Sequence, residues 1–143
     1  MQKAINSVLT QSYAHFELII VDDCSTDETE HFVKSLSDKR IRYTKHAQNK
    51  HASASRNTGI ALSRGEFIAF LDDDDQWLPT KLEKQLELLK QSPVSTALIY
   101  CWMDYITQNE QIIASVRPTL KGNVFHHVLD KQRIGGCPTL LIR

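Results

Sequence analysis

Four consecutive carboxylates, Asp72-Asp73-Asp74-Asp75, follow directly on the apolar run Phe67-Ile68-Ala69-Phe70-Leu71. An apolar run of this length reads as a buried strand, and the aspartates then fall where that strand leaves its sheet. Ligands of open α/β sheets sit outside the carboxyl ends of the strands. Adjacent carboxylates repel by up to ~4 kcal/mol per close pair in a protein-surface dielectric, and a divalent cation turns that repulsion into attraction. Oxygen-only donors suit Mg²⁺ or Mn²⁺, ions that keep waters and carry a substrate's phosphates.

The arrangement occurs twice. Leu18-Ile19-Ile20-Val21 is followed by Asp22-Asp23. In a parallel sheet both strand ends lie on one edge, so Asp22/Asp23 and Asp72–Asp75 are expected to share a crevice. Taken alone, Asp22/Asp23 also reads as a helix cap or a solvated loop. Between the clusters lies Ser53-Ala54-Ser55-Arg56-Asn57-Thr58-Gly59. The rigid donor fork of Arg56 suits phosphate oxygens, while helical periodicity alone is equally consistent with a surface arginine.

The elements that must position these groups alternate between strand-like and helix-like, the pattern of βαβ units and a largely parallel sheet. Ala4, Ile5, Val8 and Leu9 keep helical spacing, and residues 16–21 read as a strand. Ser25-Thr26-Asp27-Glu28 reads as a capping box for a helix whose stripe is Phe32, Val33 and Leu36. Ile41–Thr44 is a short strand. A helix spans about Ala52 to Ser63, with Gly65 as its C-terminal cap. Leu78-Pro79 opens another helix, lined by Leu82, Leu86 and Leu89. Strands are expected at 97–101, 112–116 and 139–142, with a short helix at 123–130.

The 143 residues fit one domain with its own core. Seventeen basic side chains balance seventeen acidic ones, which gives no footing for a nucleic-acid partner or a bulk membrane surface. No apolar run approaches the ~20 residues of a membrane span, and the N-terminus lacks a signal-peptide pattern. Cys24, Cys101 and Cys137 are widely spaced without a Cys-x-x-Cys pair, so reduced thiols in a cytoplasmic protein are the simplest reading.

From about Ala4 to Ile142 the chain resembles the family 2 glycosyltransferases. Four linked pieces carry the resemblance: Ser7–Tyr13, Glu17–Asp27, Ala54–Gly59 and Gly65–Asp75, in that order and spacing. The resemblance implies an α/β protein of GT-A, Rossmann-like fold. Its three layers, α/β/α, enclose a mostly parallel central sheet, and residues 1–143 form one partial domain, the donor half. It implies transfer of a sugar, with inversion, from a nucleoside-diphosphate sugar (a UDP-sugar favoured) to a hydroxyl of a glycan or lipid-linked acceptor. The setting would be cell-surface polysaccharide synthesis, in the cytoplasm or peripherally at the inner membrane face. By the same resemblance Asp23 bonds the nucleotide base beside Asp22, and Arg56 lies at the nucleotide. Asp72 and Asp73 approach the ribose, and Asp74 ligates the Mn²⁺ or Mg²⁺ that bridges the diphosphate. Trp77 and Pro79 match an aromatic-x-proline with a structural role.

Three departures from the family pattern stand out. By the resemblance the chain is expected to start inside the helix that follows the family's usual first strand; edges exposed by such a loss would favour a homodimer. The family's general base is expected beyond Arg143, so no catalytic residue is assigned, and weak donor binding with little turnover is expected of the chain by itself. Cys24 and His51 replace common glycines, so the loops there are expected to differ if a positive φ is needed. His126-His127 point different ways on a helix, and His46 and His51 are expected to be solvent-exposed. Trp102 and Tyr105 are expected to pack in a core or interface. A phospho-acceptor receiver domain, a signalling module with a similar acidic pattern, is the alternative reading.

Overall fold

The computed structural model describes residues 1–124, 126 and 134–143. Their elements, in chain order, are α1 (Gln2–Leu9), β1 (Leu18–Asp22), α2 (Thr29–Ser35), β2 (Ile41–Lys45), α3 (His51–Leu62) and β3 (Ile68–Ala69). Then come α4 (Lys81–Gln91), β4 (Leu98–Tyr100), β5 (Met103–Ile106), β6 (Ile112–Val116), a 3-10 turn at Cys137–Thr139 and β7 (Leu140–Ile142). The chain divides into two compact units: a middle unit, Ala14–Ile68, and a terminal unit made of Met1–Tyr13 with Ala69–Arg143.

In the middle unit β1 and β2 pair in parallel, from Leu18 opposite Ile41 to Asp22 opposite Lys45. The crossover between them is α2, which buries Val33 at 2% exposure and makes a βαβ unit. The expected capping box does not form. α2 starts at Thr29 with no side-chain cap from its N-cap residue. Ser25 instead donates its backbone N–H to Asp22 Oδ1 at 2.7 Å, and Asp27 Oδ1 accepts the N–H of Thr29 at 3.0 Å. The buried carboxylate of Asp22 outcompetes the helix for Ser25.

α3 packs on β1 closely enough that a Cβ on Gly59 would lie 3.7 Å from Val21 Cγ2. The helix ends at Leu62, with Ser63 extended at φ −69° and ψ 147°, and not through Gly65. Two side chains explain this ending. Arg42 Nη1 donates to Leu62 O at 2.8 Å and to Glu17 Oε2 at 2.7 Å, while Glu17 Oε1 accepts the backbone N–H of Arg64 at 2.6 Å. An orphan C-terminal carbonyl is thus satisfied by an arginine, without a glycine cap.

In the terminal unit α1 buries Ala4, Ile5 and Val8, as its periodicity requires. α4 buries Leu82 and Leu89, and also Lys81 and Gln85. Gln11 ties the segments of this unit together: its Nε2 donates to Leu78 O at 2.8 Å and its Oε1 accepts the N–H of Leu82 at 3.0 Å. Trp77 donates its backbone N–H to Ser7 Oγ at 3.1 Å and its indole N–H to Pro138 O at 2.9 Å, which gives it the expected structural role.

A three-stranded sheet runs β3-β7-β4, with β4 and β7 antiparallel, and β5-β6 forms an antiparallel hairpin. The expected parallel pairing is thus described for β1–β2, and the pairings described around α4 include antiparallel ones. β5 is an element the periodicity missed. Both hairpin strands are largely exposed, Tyr105 at 52%, and Trp102 just before β5 is 61% exposed, so neither aromatic packs in the core. The strand expected at 67–71 shrinks to two residues. The helix expected at 123–130, and with it His127, lies outside the described residues but for Asn123, Val124 and His126.

Candidate functional site

The parallel register places the groups at the end of β1. Asp22, the last ladder residue, is 4% exposed. Its Oδ2 accepts the phenol of Tyr43 at 2.5 Å, its Oδ1 accepts Ser25 N–H, and Lys45 Nζ lies 3.8 Å away. Burial pushes this carboxyl up, but the hydrogen bonds from Tyr43 and Ser25 and the charge of Lys45 outweigh it and hold it below the usual carboxylate range. Asp22 is therefore engaged inward on both oxygens.

Asp23 is the next residue out. Its Oδ1 accepts the backbone N–H of Lys50 at 2.8 Å and lies 2.8 Å from His46 Nδ1. The hydrogen bond from His46, joined by the backbone N–H groups of Lys50 and His51, keeps this carboxyl below its ordinary value. His46 is 9% exposed and reaches Thr58 Oγ1 of α3 with Nε2, at 2.9 Å. This corrects the expectation that His46 faces solvent. The loops around Asp23 also keep the geometry that glycine would favour. Cys24 sits at φ 69° and His51 at φ 66°, both in the left-handed region, so the expected local departure does not occur. Arg56 stands half-buried on α3.

The acidic run belongs to the terminal unit and forms a tight turn, with Asp75 N–H donating to Asp72 O at 3.2 Å. Asp73 and Asp74 are exposed; Asp72 and Asp75 are partly covered. Burial raises the carboxyl of Asp75, and repulsion from Asp74, Asp72 and Asp73 adds to it. Among the described residues no group of three His, Cys, Asp or Glu is arranged to hold a metal by itself. The donor set, hard oxygens in mutual repulsion on an open turn, suits a divalent ion that takes one or two carboxylates and fills its shell with phosphates and water.

Sequence reasoning missed three polar groups. Tyr43 and His46 pair with residues 21 and 23 positions away, contacts that only the β1–β2 register makes visible. Lys81 is 8% exposed, its ammonium lies 4.1 Å from the centroid of the Trp77 ring, and burial pushes its pKa down to about 8. The three cysteines are free thiols. No helix among the described residues is long and apolar enough to cross a membrane.

This architecture agrees with the comparison with known proteins. The family model described as "Glycosyl transferase family 2" matches residues 1–136. The chain belongs to that family, and so to the α/β proteins of GT-A fold. It is 44% identical over 110 residues to "Putative colanic acid biosynthesis glycosyl transferase WcaA" of Escherichia coli K12, covering 76% of this chain and 39% of that protein. It is 35% identical over 139 residues to "UDP-Glc:alpha-D-GlcNAc-diphosphoundecaprenol beta-1,3-glucosyltransferase WfgD" of Escherichia coli, covering 97% of this chain and 53% of that one. It is 43% identical over 91 residues to "Putative teichuronic acid biosynthesis glycosyltransferase TuaG" of Bacillus subtilis, covering 62% and 36%. The chain thus spans about half, or less, of the length of these relatives. Family membership sets aside the receiver-domain alternative.

Proposed function

We propose that residues 1–143 form the donor half of one glycosyltransferase domain. It would move a sugar from a nucleoside diphosphate to a hydroxyl of a glycan or lipid-linked acceptor in cell-surface polysaccharide synthesis. The observation that carries this reading is the turn Asp72–Asp75, with Asp73 and Asp74 exposed and like charges repelling Asp75, in a family 2 chain whose other acidic pair is held by internal hydrogen bonds. The names of the relatives support a polysaccharide setting, and that of the glucosyltransferase supports a UDP-sugar and a lipid-linked acceptor.

In this reading Asp23 accepts a hydrogen bond from the imide N–H of a uracil base, and Asp22 braces the loop that carries it. Arg56 takes phosphate oxygens with its planar fork. Asp72 and Asp73 meet the ribose, and Asp74 holds the Mn²⁺ or Mg²⁺. When bound, that ion supplies positive charge to the diphosphate as it departs. The acceptor hydroxyl attacks the anomeric carbon from the opposite face, with inversion, and needs a general base that we assign to no residue of this chain. The enzyme works at the cytoplasmic side of the membrane, as a monomer or homodimer.

A thermal-shift screen of UDP, GDP and ADP with and without Mn²⁺ tests the reading. The melting temperature is expected to rise for UDP only when Mn²⁺ is present. The absence of a metal-dependent rise for every diphosphate would overturn it.

A further inference from the structure

The buried imidazole at the end of β2 does more than fill space. The register sets Asp22 opposite Lys45, and the ladder continues one bond further, with His46 N–H donating to Asp22 O at 2.9 Å. Residues 23 and 46 therefore leave adjacent strands side by side, and His46 Nδ1 meets Asp23 Oδ1 at 2.8 Å. The other face of the ring is closed by Thr58 of α3, whose Oγ1 lies 2.9 Å from Nε2. An ionised carboxylate can only accept, so Nδ1 carries the proton. In the neutral imidazole Nε2 must then accept, and the Thr58 hydroxyl donates to it. The backbone N–H of Lys50 donates to the same Asp23 oxygen.

We propose that His46 is a positioning residue for base recognition: held by Thr58 in its Nδ1–H form, it fixes the rotamer of Asp23 and so aims that carboxylate at the base. This rests on the donor reading above, in which Asp23 bonds the base. It adds a selection rule. A carboxylate fixed in direction favours bases with an imide or amide N–H, as in uracil, over adenine, which has none on its ring nitrogens. Selection is set from behind the carboxylate, by a chain running from α3 to β2 to β1.

Titration calorimetry of the 143-residue chain with UDP and with ADP, at fixed Mn²⁺ and neutral pH, tests this. The wild-type chain is expected to prefer UDP, and Asp23→Asn to lose the preference. His46→Leu should weaken UDP about tenfold, the effect of one buried charge-assisted hydrogen bond, with ADP unchanged. His46→Asn puts an amide N–H near the position of Nδ1 and should restore the preference. A histidine that only supported the fold would weaken both nucleotides together. The ¹⁵N shifts of His46 provide a readout independent of ligand: Nδ1 protonated and Nε2 bare in the wild type, with that bias reduced in Thr58→Val. UDP binding that needs Asp23 and survives His46→Leu undiminished overturns this inference alone, as does a wild-type ring protonated on Nε2. A wild-type chain that binds neither nucleotide overturns the donor reading and this inference with it.

Discussion

The two acidic groups of this chain are built in opposite ways. At the end of β1 every described contact satisfies a carboxylate: Tyr43, Ser25 and Lys45 around Asp22, and His46 and Lys50 around Asp23. Both carboxyls sit below their ordinary pKa. On the turn after β3, burial first and then repulsion from Asp74, Asp72 and Asp73 hold Asp75 above its ordinary value. The first group is finished before any ligand arrives, so it can recognise shape and hydrogen-bond pattern. In the proposed function the second group is the one that meets the cation accompanying the substrate.

The sharpest way to break this comparison is to remove the ligand expected to meet the cation. Asp74→Asn should lower UDP affinity in Mn²⁺ roughly a hundredfold, as expected for losing a metal contact worth several kcal/mol, and leave metal-free affinity unchanged. Calorimetry with and without chelator measures both. The next largest effect falls on the finished group. Tyr43→Phe leaves the buried Asp22 Oδ2 short of a donor and should cost about 2 kcal/mol in urea unfolding, with little change in the Asp72–Asp75 turn.

Glycine at the two left-handed positions should act the other way. A side chain there costs about 1–2 kcal/mol, part of which returns as the added freedom of glycine in the unfolded chain. Cys24→Gly and His51→Gly should each stabilise by about 0.5–1 kcal/mol, seen as a raised urea midpoint. The smallest effect is a matter of sign. The lowered carboxyl of Asp22 contributes stability that is present above its unfolded value of 3.8 and lost as pH falls through the folded value. Asp75, raised above the same 3.8, opposes folding when ionised, and that opposition fades as pH falls through its folded value. A ¹³C carboxyl titration should find the two on opposite sides of 3.8, with Mn²⁺ moving Asp75 downward and leaving Asp22 in place.

Much of this was legible in the sequence where burial and periodicity coincide. The strand expected at 16–21 is found at 18–22, and the helices expected from Ala4 and at about 52–63 are found at 2–9 and 51–62, while the helix expected to open at Leu78-Pro79 starts at Lys81. Contacts set by register were not legible. Nothing near His46 in the sequence announces a partner 23 residues back, so its burial was missed. The misread cap at Ser25 has the same origin, because a locally favourable motif lost its donor to a carboxylate buried by tertiary structure. β5 was missed because Asp104, Tyr105 and Ile106 are all exposed, leaving no buried face to imprint a period. The non-glycine residues at 24 and 51 argued for altered loops, yet the hydrogen bonds converging on Asp23 hold the backbone in its left-handed form.

The two tryptophans of the chain differ in a way that can be put to use. Trp102 stands 61% exposed on the hairpin side of the sequence, whereas Trp77 is partly covered, two positions beyond Asp75, with the Lys81 ammonium over its ring. A collisional quencher such as iodide should silence the first and spare the second. The emission that remains would then come from an indole anchored next to the aspartate turn, a built-in optical gauge, needing no dye, of whether the ion in the proposed function arrives there.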